Sequence, residues 1–335
     1  MDKRPECGFE DIITVENLLV AWREFVRGKR AKPDVQTFSL RLMDNILQLR
    51  DELVNRTYRH GGYTAFNISD PKPRNIHKAC VRDRLLHHAI YKILYSFFDR
   101  KFIADSYSCR LNKGTHRAIK RFRALAYRAS RNYTRTCWVL KCDVKKFFAS
   151  TDHGVLLDIL ERRIPDKNAI RLLREVIGSF HSGAPGKGLP LCNLTSQILA
   201  NVYMNEFDQF VKHRLKAKYY IRYADDLVIL SEDRAWLENI LPQICGFLET
   251  RLKLQLHQGK IFLKTVASGV DFLGWVHFPD HRVLRSATRR RMFKRIAENP
   301  APETLNSYAG LLRHGNARKL EEEIFIHRQR TGGNL

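Results

Sequence analysis

The chain has 335 residues, of which 44% are hydrophobic, and its 59 Lys and Arg outnumber its 35 Asp and Glu, giving a formal net charge of +24. These values exclude a disordered or fibrous chain and predict a large core shared by two or three subdomains. The charge favours nucleic acid as the partner over a membrane, because no apolar run could span a bilayer and no signal peptide is visible, while seven scattered cysteines without a Cys-x-x-Cys pair favour a reducing cytoplasm over a zinc or disulfide framework.

The first sixty residues read as a helical lead-in. Thr14 to Arg27 has the periodicity of an amphipathic helix, with Thr14 as N-cap and Gly28 as a stop signal. A second helical pattern runs from Phe38 to Arg56. From Tyr63 to Ile76 the pattern becomes strand-like, interrupted by two prolines.

Three carboxylates follow apolar strand-like runs. Asp143 comes directly after the run 137–142, and Asp225 and Asp226 lie between the runs 219–222 and 227–230, at a predicted hairpin tip. Adjacent carboxylates repel one another unless water or a cation offsets their charge. Three of them brought together in one sheet could hold two magnesium ions for phosphoryl transfer, whereas an Asp-Asp pair alone is usually a solvated turn.

A glycine- and proline-rich loop from Gly183 to Pro190 precedes an apolar helix predicted from Ser196 to Phe210. Taken alone, this loop is weak evidence of function, since it lacks the Gly-Lys-Ser/Thr of a P-loop and the spacing of a dinucleotide fingerprint. After Arg285 a basic helical tail begins. A charge run of this kind is usually a solvated face.

Together, six segments resemble the motifs of reverse transcriptases and occur in the family's order. They are Asp105 to His116, Asp143 to Phe148, Gly188 to Asn201, Tyr223-Ala224-Asp225-Asp226, Leu254 to Lys260 and Val270 to Trp275. The resemblance implies an α+β, right-hand polymerase with an antiparallel-sheet palm and a helical thumb. It implies a helical lead-in over 1–60, fingers over 61–135, palm over 136–280 and thumb over 281–335.

The resemblance also assigns roles to individual residues. It implies that two Mg²⁺ ions are held by Asp143, Asp225 and Asp226, and that Lys260 approaches the leaving pyrophosphate. It places the incoming nucleotide against Arg74, Arg110, Phe148, Leu191 and Gln197, with Phe148 as the gate that selects deoxyribose. It places primer and template against Lys72, Tyr223, Phe272 and Gly274. The alternatives left open are a surface lysine at Lys260 and core packing at Phe148 and Phe272.

A closer resemblance is to the reverse transcriptases of diversity-generating retroelements. In that group an aliphatic residue stands at the position of Leu191, where most family members carry Gln, and Ser-Gln replaces Ser-Pro at Ser196-Gln197. Cys192 departs from the group's usual Gly, and a side chain there would be strained if the backbone needs a positive φ.

This closer resemblance implies that template RNA is copied into cDNA with errors at adenines, for mutagenic retrohoming, together with a small basic accessory protein. The partners would be template RNA, primer or cDNA, and deoxynucleoside triphosphates. The alternatives are a retron-type or phage-defence reverse transcriptase and a catalytically silent RNA-binding scaffold.

Overall fold

The computed structural model describes residues 7–69 and 73–331, with side chains up to residue 324. Lys72, which we predict to contact primer or template, lies outside the described residues. Within them, none of the helices is long and apolar enough to cross a membrane.

Four helices open the described chain: α1 (Phe9–Ile13), α2 (Val15–Phe25), α3 (Pro33–Leu40) and α4 (Leu42–Val54). The predicted helix after Thr14 is confirmed, and the Thr14 hydroxyl accepts a hydrogen bond from the Asn17 N–H at 3.2 Å. The single helix predicted over 38–56 is wrong in one respect. Arg41 leaves helical geometry (φ −125°, ψ 44°) and divides that segment between α3 and α4.

The strand-like segment that follows forms an antiparallel hairpin of β1 (Tyr63–Ile68) and β2 (Arg74–Ala79). This hairpin is a two-stranded sheet of its own, and most of its side chains are exposed. Two long helices follow it, α5 (Val81–Phe98) and α6 (Thr115–Ala129). Helix α5 packs against α2 in the large core, whereas α6 packs on the central sheet.

The central sheet has four antiparallel strands in the order β4–β5–β3–β6: β3 (Trp138–Asp143), β4 (Tyr219–Tyr223), β5 (Asp226–Ser231) and β6 (Phe262–Thr265). Leu140 and Cys142 face the large core, whereas Val139 and Val228 face α6. Because both faces are covered, the strands read as continuous apolar runs. The large core also includes residues of α7 (Phe147–Ser150), α8 (His153–Glu161), α9 (Lys167–Gly178), α10 (Leu194–Gln209) and α11 (Arg234–Leu252).

A smaller three-stranded sheet leads into the C-terminal helices. It comprises β7 (Val270–Phe272), β8 (Trp275–His277) and β9 (Arg282–Leu284), and the helices are α12 (Ser286–Glu298), α13 (Pro302–Leu312) and α14 (Arg318–Thr331). Strand β9 lies beyond residue 280 yet pairs with β8, so the boundary drawn there passes through one sheet. The four predicted subdomains stay a prediction, whereas the α+β class with antiparallel sheets is confirmed.

Candidate active site

The three predicted carboxylates meet at one end of the central sheet. Strands β4 and β5 form a hairpin in which Tyr223 pairs with Asp226, so Ala224 and Asp225 make the turn. The register of β3 and β5 sets Asp143 directly opposite Asp226. Ala224 has a φ of +54°, a left-handed conformation that is uncommon for a residue with a Cβ atom and that is found at functional turns.

Burial and mutual repulsion make this end of the sheet costly for negative charge. Burial raises the pKa of Asp225 to about 6, and the charges of Asp143 and Asp226 add to the effect. Burial also raises the pKa of Asp226, although Lys141 acts against the shift. A carboxylate whose pKa is raised in this way is stabilised by any cation that reaches it.

Two lysines supply positive charge to the carboxylates. The Lys260 Nζ lies 2.8 Å from the Asp143 Oδ1, and the Lys141 Nζ lies 3.2 Å from the Asp226 Oδ1. Lys260 is held there by its loop, because the His257 N–H donates to the Asp143 carbonyl and the Lys260 N–H donates to the His257 carbonyl, each at 2.8 Å. The structure therefore brings Lys260 to the three carboxylates.

The donor chemistry of this cluster fits a divalent metal ion. Carboxylate oxygens are the ligands that Mg²⁺ prefers, and the raised pKa values show that the local charge is poorly compensated. Among the described residues, no three His, Cys, Asp or Glu side chains already stand in ligand geometry. Because Lys260 and Lys141 take oxygens of Asp143 and Asp226, binding a metal would require these side chains to rearrange, and the predicted ligand set stays a prediction.

Arg222, which the sequence analysis did not single out, supports the hairpin tip from within. Its guanidinium is 1% exposed and pairs with the fully buried Asp208 of α10 at 2.7 Å. It also donates to the Ala224 carbonyl at 3.2 Å and to the Ser106 hydroxyl at 3.0 Å. An arginine inside an apolar strand is the signal that could have identified it, since a buried charge requires a partner.

The same arginine ties the segment from Asp105 to Tyr107 to the sheet. The Arg222 N–H donates to the Asp105 carbonyl, and the Tyr107 N–H donates to the Arg222 carbonyl, each at 3.0 Å. Tyr223 is held nearby by a 3.0 Å hydrogen bond between its hydroxyl and that of Thr115. Backbone pairing thus attaches the nucleotide motif to the edge of β4, next to the carboxylates.

The two arginines predicted to bind triphosphate lie in different environments. Arg74 is exposed on β2 and forms no ion pair within the described residues. Arg110 is only 7% exposed, and its Nε lies 2.7 Å from the Asp99 Oδ1. Its other nitrogens donate to the carbonyls of Ile103, Ser106 and Asp99. The guanidinium of Arg110 is therefore committed to its own loop in this conformation.

The loop before α10 docks beside the predicted sugar gate. The Leu189 N–H donates to the Phe148 carbonyl at 2.8 Å, and the Phe148 ring is half-buried against Phe147 at 5.3 Å. Leu191 and Gln197 are also half-buried, so both remain accessible. Cys192 is exposed and has a φ of +69°, which is the positive φ at which the sequence analysis expected a side chain to be strained.

The predicted primer-contacting hairpin is divided between core and surface. Phe272 is completely buried and packs against Phe122 at 5.5 Å, so its side chain does not reach the surface. Trp275 is buried as well. Gly274, with a φ of +87°, is half-buried at the turn between β7 and β8. The core alternative left open for Phe272 is the one that the structure shows.

Comparisons with known proteins agree with this arrangement. The family model for reverse transcriptase (RNA-dependent DNA polymerase) matches residues 69–277. The chain is similar to Protein YkfC of Escherichia coli strain K12, with 27% identity over 310 residues that cover 81% of this chain and 79% of YkfC. It is also similar to the group II intron-encoded protein LtrA of Lactococcus lactis, with 24% identity over 282 residues that cover 63% of this chain and 45% of LtrA.

Among solved structures, the chain is similar to apo telomerase from Candida tropicalis. The TM-score is 0.53 at 9% identity, and the match covers 70% of this chain and 50% of the telomerase chain. At this identity the similarity concerns the fold alone. It agrees with the predicted right-hand polymerase architecture.

Proposed function

The chain belongs to the reverse transcriptase family, the RNA-dependent DNA polymerases, and we propose that it synthesises DNA on an RNA template from deoxynucleoside triphosphates. The observation that carries this proposal is the strand register that sets Asp143 opposite Asp226, with Asp225 in the adjoining turn. Template RNA, a primer and the triphosphates would be its partners.

In the proposed reaction, the primer 3′-hydroxyl attacks the α-phosphorus of the incoming nucleotide and pyrophosphate leaves. Two Mg²⁺ ions, held by Asp143, Asp225 and Asp226, would lower the pKa of that hydroxyl and neutralise the triphosphate. We assign Lys260 to the leaving pyrophosphate, because its ammonium already lies beside Asp143. We assign the triphosphate to Arg74 rather than Arg110, since the Arg110 guanidinium is occupied.

Asp225→Asn tests the assignment, because it removes charge with little change in volume. We expect the variant to bind RNA like the parent protein and to lose primer extension on an RNA template. Asp44→Asn, at an exposed position on α4, is the matched control and should extend normally. Undiminished extension by Asp225→Asn would remove this carboxylate from the reaction.

The finer proposal is that the enzyme serves a diversity-generating retroelement, copying template adenines with errors for mutagenic retrohoming and working with a small basic accessory protein. Leu191, Ser196 and Gln197 support it by their resemblance to that group. The alternative is a retron-type or phage-defence reverse transcriptase. A silent scaffold is disfavoured because all three carboxylates are present.

Sequencing of cDNA made in vitro separates these proposals. Under the retroelement proposal, errors concentrate opposite template adenine, and Leu191→Gln lowers them several-fold by restoring a hydrogen-bonding side chain near the nascent pair. An adenine error frequency in the parent equal to that at the other bases would contradict the retroelement role while leaving the polymerase assignment intact.

A further inference from the structure

A cavity of about 170 Å³ lies between α6, the turn that joins β8 to β9, and the segment after α13. It is remote from the three carboxylates. Val266 in its wall donates its N–H to the Cys137 carbonyl at 2.9 Å, just before β3 begins, whereas Asp143 ends that strand. The extended chain from Cys137 to Asp143 spans about 20 Å at about 3.4 Å per residue.

Three arginines bring uncompensated positive charge to this cavity: Arg123, Arg282 and Arg313. Within the described residues none of them pairs with a carboxylate. Arg123 and Arg282 donate to backbone carbonyls, and the Asp280 carboxylate at the rim accepts from His281 at 2.7 Å. Burial and the nearby Arg123 hold the pKa of Arg282 below its usual range. Like charges gathered without a counterion favour binding of an anion.

The other walls suit a nucleotide better than a bare anion. The Tyr133 hydroxyl is buried and makes no hydrogen bond within the described part of the chain, which costs free energy unless a ligand supplies a partner. Phe278 lies beside it in the lining and stacks on His281 with ring centroids 4.6 Å apart. Aromatic faces stack on bases, and a hydroxyl can bond to a base edge.

Specific contacts hold the cavity wall in place. The Asn316 N–H donates to the Arg282 carbonyl at 3.0 Å, which joins the segment after α13 to β9. Gly315 lies so close to Trp275 that a Cβ atom on it would stand 1.9 Å from the indole ring. The His314 ring stacks on His116 of α6 at 3.7 Å. These contacts fix the arginines before any ligand arrives.

The charge continues from the cavity along one helix. Arg117, Lys120, Arg123 and Arg128 are exposed on α6, at spacings of three to five residues, and none forms an ion pair within the described residues. A basic stripe that ends in a phosphate-sized cluster beside aromatic rings suits a strand more than a free nucleotide. Resting on the proposed function, we propose that this cavity binds one nucleotide of an RNA strand outside the catalytic site, with its phosphate on the arginines and its base against Phe278 and Tyr133.

The test is titration of the full chain with a labelled single-stranded RNA, without deoxynucleotides, at several salt concentrations. The double variant Arg282→Gln/Arg313→Gln should bind at least about tenfold more weakly, with a salt slope reduced by about 1.4 to 1.8. Arg27→Gln/Arg30→Gln removes the same charge from exposed positions after α2 and should bind within about twofold of the parent. Equal affinities for the two double variants would overturn the proposal.

Two further measurements keep the result specific to the cavity. Tyr133→Phe, which removes only the hydroxyl, should weaken RNA binding several-fold, and RNA carrying 4-thiouridine should cross-link to the peptides that contain Tyr133 or Phe278. Cross-links confined to other peptides, or cavity-dependent binding of free AMP with unchanged RNA affinity, would contradict an RNA strand as the ligand. Because the titration involves no synthesis, a failure here is distinct from a failure of the polymerase assignment.

Discussion

At the residue scale, Cys192 shows a conflict between side chain and backbone. Its φ of +69° lies in the left-handed region, where a Cβ atom costs about 1–2 kcal/mol. Glycine avoids this cost but loses about 0.5–1 kcal/mol more conformational entropy on folding. The residue is exposed, so its thiol contributes little packing that could offset the strain.

We therefore expect Cys192→Gly to raise the free energy of unfolding by a few tenths to about 1 kcal/mol. Urea denaturation measures it as a higher midpoint at an unchanged m-value. Cys192→Ala keeps the Cβ atom and is the control, which should unfold like the parent. A glycine variant less stable than the parent would contradict strain at this position.

His277 gives a prediction about pH. Burial lowers the pKa of His277 to about 4, while its Nε2 lies 3.2 Å from the Phe272 carbonyl. The unfolded chain binds a proton at this residue near pH 6.5, which the folded chain does not bind until about pH 4. This residue therefore makes stability fall as the pH drops through that window, by at most about 1.4 kcal/mol per pH unit.

His277→Gln keeps a hydrogen-bond donor but does not titrate. We expect its free energy of unfolding to depend less steeply on pH than that of the parent between pH 6.5 and 5, measured by urea denaturation at each pH. All other titrating groups are common to both proteins, so the difference isolates His277. Identical slopes would show that the histidine is protonated in the folded chain.

The positions of the three aspartates could be predicted from sequence because each follows an apolar run, and strand pairing then brings them together. The environment of Arg222 could not be predicted. Its partner Asp208 lies on α10, and its partner Ser106 lies more than a hundred residues earlier in the chain. The closed guanidinium contacts of Arg110 and the burial of Phe272 depend on the same kind of long-range packing.

At the element scale, Arg222 joins three elements: β4, α10 and the segment around Ser106. Removing one partner of a buried ion pair typically costs about 3–5 kcal/mol, because the other charge stays buried. We expect Arg222→Met to lose stability on this scale in thermal or urea unfolding. Adding Asp208→Asn should restore part of the loss, since the buried charge is then gone.

Arg174→Met is the matched control for that variant. Arg174 pairs with Glu161 at 2.6 Å, but both side chains are largely exposed. Exposed pairs contribute about 0–1 kcal/mol, so this variant should unfold close to the parent. Equal losses at Arg174 and Arg222 would mean that burial does not determine the value of the inner pair.

Helices and strands with a clear period could be predicted, but breaks within them could not. The division between α3 and α4 occurs at Arg41, whose side chain gives no stop signal in the sequence. Likewise, the boundary drawn at residue 280 relied on the basic tail, whereas β9 is recruited by pairing with β8. Local pattern carries the element, and tertiary pairing decides where it ends.

At the scale of the whole molecule, the net charge of +24 predicts the character of RNA binding. Each neutralised phosphate releases counterions, so affinity falls as salt rises. We expect RNA affinity to fall at least about 100-fold between 50 and 200 mM monovalent salt, as for about four or more phosphate contacts. Fluorescence titration at fixed temperature measures it, and a nearly constant affinity would contradict electrostatic binding.

The exposed hairpin of β1 and β2 has a consequence for amide hydrogen exchange. Its strands pair mainly with each other, so their amides can open without disturbing the rest of the fold. Strand β3 lies between β5 and β6, and its amides exchange only when the central sheet opens. A substrate that orders the hairpin, where Arg74 stands, would slow exchange there and leave the protection of the strand that carries Asp143 unchanged.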